Sequence, residues 1–309
     1  MMSLRRRIDL TYHRPMRLAV FTKNMTNPAY AAARLGAERT AARFGASVTH
    51  YVPQKPDDVD EQTALVAQAL ASRPDAFVFV PVHVTAMKAP IGRVLEAGVP
   101  VANFLNRIEA PGFLTFVGAD DYGLARGIAL YLGRHLGGRG TIVMVEGTAG
   151  AVTNADRMRG FRDAMAAFPE IEVLATLQGE YQQDAARRVM DAFLSSEAPI
   201  DAVIAANDSM ALGVLEALEA RGRHTIVTGV NAVPDAIDAV KRGALLATVD
   251  FDAMKIASIA TEAAIRHLRG EAVPPEIMLP SQIVDGTNYA AWDKPLEARD
   301  LPRWEDCVG

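Results

Sequence analysis

Amino, amide and phenol side chains follow the first apolar run of strand length, residues 17–22. Lys23, Asn27 and Tyr30 all lie shortly after that run. Pro28 suits the first turn of a helix, and Asn27 suits the cap position before it. One interpretation is that Asn27 only caps a helix. The other is that the cluster faces a ligand at the edge of a sheet.

Three further apolar runs end in the same kind of side chain. Asn106 and Arg107 come directly after the run 99–105, and Asn207 and Asn231 end the runs 201–207 and 225–231. Each could be a cap or a turn residue. Ends of parallel strands meet at one edge of a sheet, so the repetition favours a shared cleft. An amide both donates and accepts hydrogen bonds, which matches a ligand hydroxyl.

The sequence contains no recognisable motif for nucleotide binding, metal binding or catalysis. Neither the glycine pattern of dinucleotide-binding turns nor that of phosphate-binding loops is present, and no H-E-x-x-H or G-x-S-x-G motif occurs. The single cysteine, Cys307, cannot form an internal disulfide or a cysteine metal site. His83 is the only histidine expected near the cleft. We therefore expect no cofactor, no metal and no enzymatic activity.

The elements that must position these residues alternate regularly. Most apolar runs are apolar throughout, as in strands buried on both faces of a parallel sheet. Helical patterns separate them, so the sequence predicts an α/β protein with doubly wound parallel sheets. The series runs twice, before and after about residue 105, which indicates two similar lobes. The predicted strands are 17–22, 47–52, 76–82, 99–105, 113–117, 141–147, 172–178, 201–207, 225–231 and 244–251, with a possible strand pair in 277–285.

Composition limits the partners of this chain of 309 residues. Half of the residues are hydrophobic and the formal net charge is -5, which argues against a nucleic-acid binder. No apolar run reaches the roughly 18 residues of a membrane helix, so no membrane insertion is expected. Residues 1–15 contain Arg5, Arg6 and Arg7 but no apolar stretch after them. We interpret 1–15 as a leader or an expression remnant and leave it out of the fold.

Several sequence pieces resemble the ribose-binding-protein class of periplasmic sugar-binding proteins, whose fold is shared by the effector cores of LacI-type repressors. The pieces are TNPAY (26–30), FLNR (104–107), VGADDYGLARG (117–127), RMRGF (157–161), AANDSMALG (205–213), VTGVNAVPDA (227–236) and LLATVDF (245–251).

The resemblance implies the type I periplasmic binding protein fold, with two doubly wound lobes joined by three crossover strands. We expect residues 16–117 plus 251–281 to form the N-terminal lobe and 118–250 plus 282–309 the C-terminal lobe. It also implies a monomer that works in the periplasm, binds a sugar, polyol or sugar acid, and passes it to an ABC transporter permease. The alternative is the effector core of a LacI-type regulator without its DNA-binding domain.

Ten residues match positions that surround the sugar in this class. By resemblance, the ligand-binding residues are Lys23, Asn27, Tyr30, Asn106, Arg107, Arg157, Tyr181, Asn207, Asn231 and Phe251. Tyr181 falls where the class often stacks an aromatic ring on the sugar, and Phe251 falls at the last crossover.

The sequence departs from that class at two of these positions. Relatives that bind neutral sugars usually have Asp where this chain has Asn106 and Asn231. The expected pocket then carries surplus positive charge from Lys23, Arg107 and Arg157. The exception would be an inward turn of Asp120, Asp250 or Asp252. Two hypotheses stay open: the ligand is anionic, such as a sugar acid, or the amides serve a different neutral sugar or polyol.

Overall fold

Twelve strands and ten α-helices alternate along the part of the chain that the computed structural model describes, residues 14–308. The strands are β1 (Arg17–Phe21), β2 (Ser47–Tyr51), β3 (Ala76–Phe79), β4 (Val101–Phe104), β5 (Thr115–Gly118), β6 (Arg139–Glu146), β7 (Glu170–Gln178), β8 (Ala202–Ala205), β9 (Ile226–Thr228), β10 (Ala247–Val249), β11 (Glu276–Met278) and β12 (Ile283–Asp285). The helices are α1 (Pro28–Arg43), α2 (Val59–Ala71), α3 (Lys88–Glu96), α4 (Asp121–His135), α5 (Val152–Met165), α6 (Gln183–Leu194), α7 (Asp208–Ala220), α8 (Pro234–Lys241), α9 (Ala253–Leu268) and α10 (Trp304–Cys307). The predicted leader lies outside the described residues except for its last two positions.

The strands form two sheets of the same design. The first has the order β2-β1-β3-β4-β5-β11 and the second the order β7-β6-β8-β9-β10-β12. All pairings are parallel except that of β12 with β10. In the shared 2-1-3-4-5 order, ligands bind beyond the carboxyl ends of the strands. The predicted α/β fold with two doubly wound lobes is confirmed.

The chain passes between the lobes at three short connections beside the sheets. They are residues 119–120 after β5, 250–252 after β10 and 279–282 between β11 and β12. Helix α4 therefore packs in the second lobe against α5, and α9 packs in the first lobe against α1. The two strands expected in 277–285 are present as β11 and β12, and because they join different sheets the chain crosses between the lobes there.

The C-terminal tail belongs to both lobes. Trp292 packs with Ile237 and Val284 of the second lobe, while α10 lies on α9 of the first lobe with Trp304 beneath Arg266. The expected assignment of all of 282–309 to the C-terminal lobe is therefore wrong for the end of the tail. Apolar burial is the physical reason, since α10 packs on α9 and Trp304 is buried.

Side-chain caps fix where many of the helices begin. Five capping residues accept a hydrogen bond from a backbone N–H of the first turn, which stabilises a helix by about 1 kcal/mol each. These residues are Asn27, Asp58, Asp120, Asn207 and Asp252. Because each follows a strand or a crossing, the caps also fix where the strand-end side chains point.

Candidate ligand-binding site

A cavity with a volume of about 70 Å³ lies between the lobes at the carboxyl ends of both sheets, and residues of both lobes line it. Nine of the ten predicted residues line it: Lys23, Asn27, Tyr30, Asn106, Arg157, Tyr181, Asn207, Asn231 and Phe251.

Arg107 is the predicted residue that the structure places elsewhere. Its guanidinium pairs with Glu276 of β11 and lies 4.1 Å from the centre of the Phe116 ring, outside the cavity. The cause is the pairing of β11 with β5, which brings Glu276 beside the end of β4. No sequence feature near Arg107 indicates this long-range partner. Arg107 instead lines an adjoining groove together with Asn106 and Thr153, and its contact with a ligand stays a prediction.

Arg157 is the most rigidly held of the lining residues. Its Nε donates to Asp121 Oδ1 at 2.7 Å and its Nη1 to the Ala206 carbonyl at 2.5 Å. Gly160 permits this, because a Cβ there would meet the Tyr122 carbonyl of α4 at 2.6 Å. Burial lowers the pKa of Arg157, but Asp121 and other acids outweigh it, so the guanidinium stays charged. Nη2 has no partner among the described residues and is available to a ligand.

Two amide side chains of the second lobe differ in how many of their polar atoms already have hydrogen-bond partners. Asn207 caps α7 through Met210 N at 2.8 Å, and its Nδ2 donates to the Tyr181 carbonyl at 3.3 Å. Asn231 has a positive φ of 127°, an unusual conformation that a side chain adopts only when its surroundings hold it there. Its Oδ1 is buried without a partner among the described residues. A ligand hydroxyl would satisfy that atom.

Asp208 holds the loop that carries Asn231. Thr248 donates to Asp208 Oδ1 at 2.6 Å, and the Val233 N–H donates to Oδ2 at 3.0 Å. Burial raises the pKa of Asp208 to about 6, although both hydrogen bonds and Arg157 act in the opposite direction. The orientation of Asn231 therefore depends on a buried carboxyl behind it.

Two tyrosines contribute from opposite lobes. Tyr30 comes from α1, and Tyr181 follows β7 with its ring packed where Gly147 leaves no Cβ. Burial raises the pKa of both phenols, so both stay protonated donors. The Tyr181 hydroxyl is buried without a partner among the described residues. Aromatic faces with a free hydroxyl suit the mixed apolar and polar surface of a sugar ring.

Side chains of the first lobe connect to the second across the cavity. Asn106 Nδ2 donates to Thr153 Oγ1 of α5 at 2.6 Å, and Thr26 Oγ1 lies 3.5 Å from Gln182 Oε1. Asn27 accepts from Ala29 N at 3.0 Å, so it caps α1 and also lines the cavity. Asn27 is therefore a helix cap, and its contact with a ligand stays a prediction.

Sequence reasoning missed several lining residues, chiefly Asn24, Asp57, Thr153 and Gln182. Each lies after a strand, so the rule that selected the others applies to them. Asp57 lies in the loop before α2, Thr153 in the first turn of α5 and Gln182 directly before α6, and all three lie outside the sequence pieces that carry the family resemblance. Asn24 directly follows Lys23 after the first strand, but the resemblance does not assign it to the site.

The charges of the cavity are paired. Lys23 Nζ lies 3.4 Å from Asp57 Oδ1, and Arg157 is bound to Asp121. Asp120 and Asp252 are helix caps, and Asp250 pairs with Lys255 at 3.0 Å, so none of the three turns inward. The surplus positive charge expected from the sequence is absent in the described residues. This pairing favours a neutral ligand.

Residues 14–308 contain neither a candidate metal centre nor a candidate membrane span. No group of three or more His, Cys, Asp or Glu side chains is arranged to hold a metal ion. No helix in that range is long and apolar enough to cross a membrane.

Comparison with solved structures places the fold among ABC transporter solute-binding proteins. A protein of Actinobacillus succinogenes with bound D-allose shares 26% identity at a TM-score of 0.85, covering 89% of this chain and 99% of that one. A protein of Bacillus halodurans with bound myo-inositol shares 26% identity at a TM-score of 0.82, covering 90% and 97%.

Curated relatives agree with the structural comparison. The ribose import binding protein of Bacillus subtilis is 29% identical over 86% of this chain and 85% of its own. A D-ribose/D-allose-binding protein of Pseudomonas aeruginosa is 30% identical over 69% of each. The xylitol-binding protein of Mycolicibacterium smegmatis is 30% identical over 62% of this chain, and the match spans 56% of that relative. The family described as periplasmic binding protein domain matches residues 18–272. The chain therefore belongs to the periplasmic binding protein family.

Proposed function

We propose that this solute-binding protein captures one neutral sugar or polyol between its lobes and delivers it to the permease of an ABC importer. The observation that carries the proposal is the cavity at the strand ends, where both lobes supply hydrogen-bonding groups and the charges are paired. Neutral hydroxyls need donors and acceptors together. Arg157 Nη2, the Tyr181 hydroxyl and Asn231 Oδ1 offer both.

Closure of the two lobes is the mechanism that this arrangement supports. Ligand docks on one lobe, and the other rotates about the three connections until the two tyrosines flank it. The hydrogen bond from Asn106 to Thr153 then joins the lobes beside the ligand. The ligand shifts the population toward the closed form because it contacts both lobes only there.

The relatives support the chemical class of the ligand. Their names specify ribose, D-ribose or D-allose, and xylitol, and two solved structures hold D-allose and myo-inositol. All of these molecules are small, neutral and rich in hydroxyl groups. The size of the cavity agrees with a ligand of that scale.

The remaining parts of the proposal follow from that role. The protein works as a monomer in the periplasm, where it meets the permease and binds no nucleic acid. It is not an enzyme: the carboxylate that lines its cavity, Asp57, is paired with Lys23 and has no partner acid or base across the ligand space. The match to import binding proteins over most of their length does not favour the regulator alternative.

Titration calorimetry with a panel of neutral sugars and polyols tests the proposal. We expect at least one member, among D-ribose, D-allose, xylitol and myo-inositol, to bind with micromolar affinity, about -8 kcal/mol. Ala151→Trp, which fills the cavity, should abolish binding. Ala220→Trp, on the exposed end of α7, is the matched control and should bind normally. Equal binding by both variants would contradict a ligand in this cavity.

A further inference from the structure

Asp57 is the one carboxylate among the described residues that line the cavity. It lies in the loop between β2 and α2. Lys23 Nζ is 3.4 Å from its Oδ1, and Asn24 Nδ2 is 3.5 Å from the same oxygen. Its Oδ2 has no hydrogen-bond partner within the described part of the chain. One oxygen is therefore loosely held, and the other is available to a ligand.

The loop presents Asp57 in a fixed position. Its backbone N–H donates to the Lys23 carbonyl at 3.2 Å, and its φ is 58°. Asp and Asn tolerate this left-handed conformation better than most residues with a side chain. The carboxylate is therefore directed by the backbone, and the lysine beside it balances its charge.

Most other acceptors at the cavity already have partners. Asn27 Oδ1 caps α1 and Asn207 Oδ1 caps α7, so neither oxygen is free for a ligand. Asn231 Oδ1 is free but uncharged. A carboxylate forms a stronger hydrogen bond than an amide does, so Asp57 offers the strongest acceptor that a ligand hydroxyl can reach.

We propose that Asp57 is a specificity-determining residue whose Oδ2 accepts a hydrogen bond from a hydroxyl of a neutral sugar or polyol and excludes the corresponding acid. The inference rests on the proposed function and names the residue that selects the ligand class. A sugar acid would bring its carboxylate into a cavity whose two cations already have carboxylate partners. Closure would then enclose an unpaired negative charge, which is strongly unfavourable.

The test is the ratio of acid to neutral affinity in the full chain. Titration calorimetry of D-ribose against D-ribonate, and of xylitol against xylonate, gives this ratio for wild type and Asp57→Asn. Asparagine keeps the shape and tolerates the backbone conformation, so the variant should fold. We expect Asp57→Asn to weaken neutral binding about tenfold and to raise the acid-to-neutral ratio about tenfold, each about 1.4 kcal/mol.

Asp60→Asn is the matched control. It removes the same charge from the exposed first turn of α2, outside the cavity, so both affinities should stay within about twofold of wild type. Asp57→Gly is a second variant that removes the side chain and relaxes the positive φ. It should repeat the effect of Asp57→Asn. Lys23→Gln should move the ratio in the opposite direction, since it leaves Asp57 without its cation.

The outcomes separate this inference from the proposed function. If wild type binds a neutral probe and Asp57→Asn changes neither its affinity nor the ratio, the role of Asp57 is refuted and the function stands. If wild type binds D-ribonate or xylonate more tightly than the neutral partner, the exclusion of acids is refuted. If wild type binds none of D-ribose, D-allose, xylitol and myo-inositol, the proposed function fails, and this inference fails with it.

Discussion

The two faces of the cavity hold their charged groups in opposite ways. On the second-lobe face Arg157 is almost fully buried, with two short hydrogen bonds and an acid partner that is also buried. On the first-lobe face the Lys23–Asp57 pair is longer, at 3.4 Å, and the Asp57 side chain is 37% exposed. The second face is therefore built as part of a core, while the first remains adjustable.

This difference indicates a division of tasks. A group that is held before the ligand arrives loses little entropy on binding and contributes affinity for any ligand of the right shape. A half-exposed pair can change without unfolding its lobe, so it can select among ligands. We therefore expect changes on the second face to alter stability and affinity together, and changes on the first to alter selectivity.

Arg157→Met should give the largest effect. It removes the Nη2 donor and leaves Asp121 buried without its cation, which lowers the free energy of unfolding by about 3–5 kcal/mol. Affinity for the neutral ligand should fall about 100-fold or more, as expected when a charged hydrogen bond at a ligand is lost. Urea denaturation and titration calorimetry measure the two quantities.

The double variant Arg157→Met with Asp121→Asn separates the effect on stability from the effect on affinity. Neutralising the buried carboxyl should restore most of the stability but none of the affinity. Recovery of binding in the double variant would contradict a direct contact between Arg157 and the ligand.

The pH dependence of stability should be the next largest effect, and it also belongs to the second face. The pKa of Asp208 is about 6 in the folded protein against an ordinary value of 3.8, so the folded state binds the proton more tightly. The stability contributed by this group is complete below pH 4 and is lost as pH rises through 6, by about 3 kcal/mol.

Asp208→Asn should remove this part of the pH dependence. Urea denaturation between pH 4 and 7 measures it as the difference between wild type and variant. Asp235→Asn, which neutralises an exposed acid on α8, should keep the wild-type slope of unfolding free energy against pH. If Asp208→Asn keeps that slope too, Asp208 does not titrate in this range.

Tyr181→Phe should change binding without weakening the fold. The hydroxyl has no partner among the described residues, so its removal leaves nothing in the protein unsatisfied. Affinity should fall about tenfold, and the midpoint of thermal unfolding without ligand should stay the same or rise. A lower midpoint would show that the hydroxyl serves the fold instead of the ligand.

Thr153→Val should give the smallest effect, because it removes only one hydrogen bond that joins the two faces of the cavity. The substitution keeps the shape of the side chain and removes the acceptor of the hydrogen bond from Asn106. The bond joins the two lobes and would favour the proposed closure, so affinity should fall about threefold to fivefold. Thr26→Val, at a contact of 3.5 Å, is the control with a smaller expected loss. Unchanged affinity in Thr153→Val would show that the bond does not favour closure.

The sequence was most informative where neighbours along the chain decide the structure. Uniformly apolar runs identified the parallel strands, and the strand-end rule with the family resemblance placed Asn207 and Asn231 at the cavity. Where the structure differs from the expectation, contacts between residues distant in sequence are the cause. Arg107 turns away because β11 brings Glu276 beside it, and the tail divides between lobes because Trp304 finds an apolar surface on α9.

Asp57 shows a different limit of sequence reasoning. The expected surplus of positive charge came from counting Lys23, Arg107 and Arg157 without knowing their partners. Asp57 balances Lys23 from a loop that follows β2 by several residues, and Asp121 balances Arg157 from a neighbouring helix. Neither pairing follows a short-range pattern, so only the folded arrangement reveals that the cavity is neutral.

The most direct test of the account is a crystal structure of the protein with the neutral sugar or polyol that binds most tightly. We predict one molecule between Tyr30 and Tyr181, hydrogen-bonded to Arg157 Nη2 and Asn231 on the second face and to Asp57 Oδ2 on the first. A ligand bound outside the cleft, or held by one lobe alone, would contradict the account.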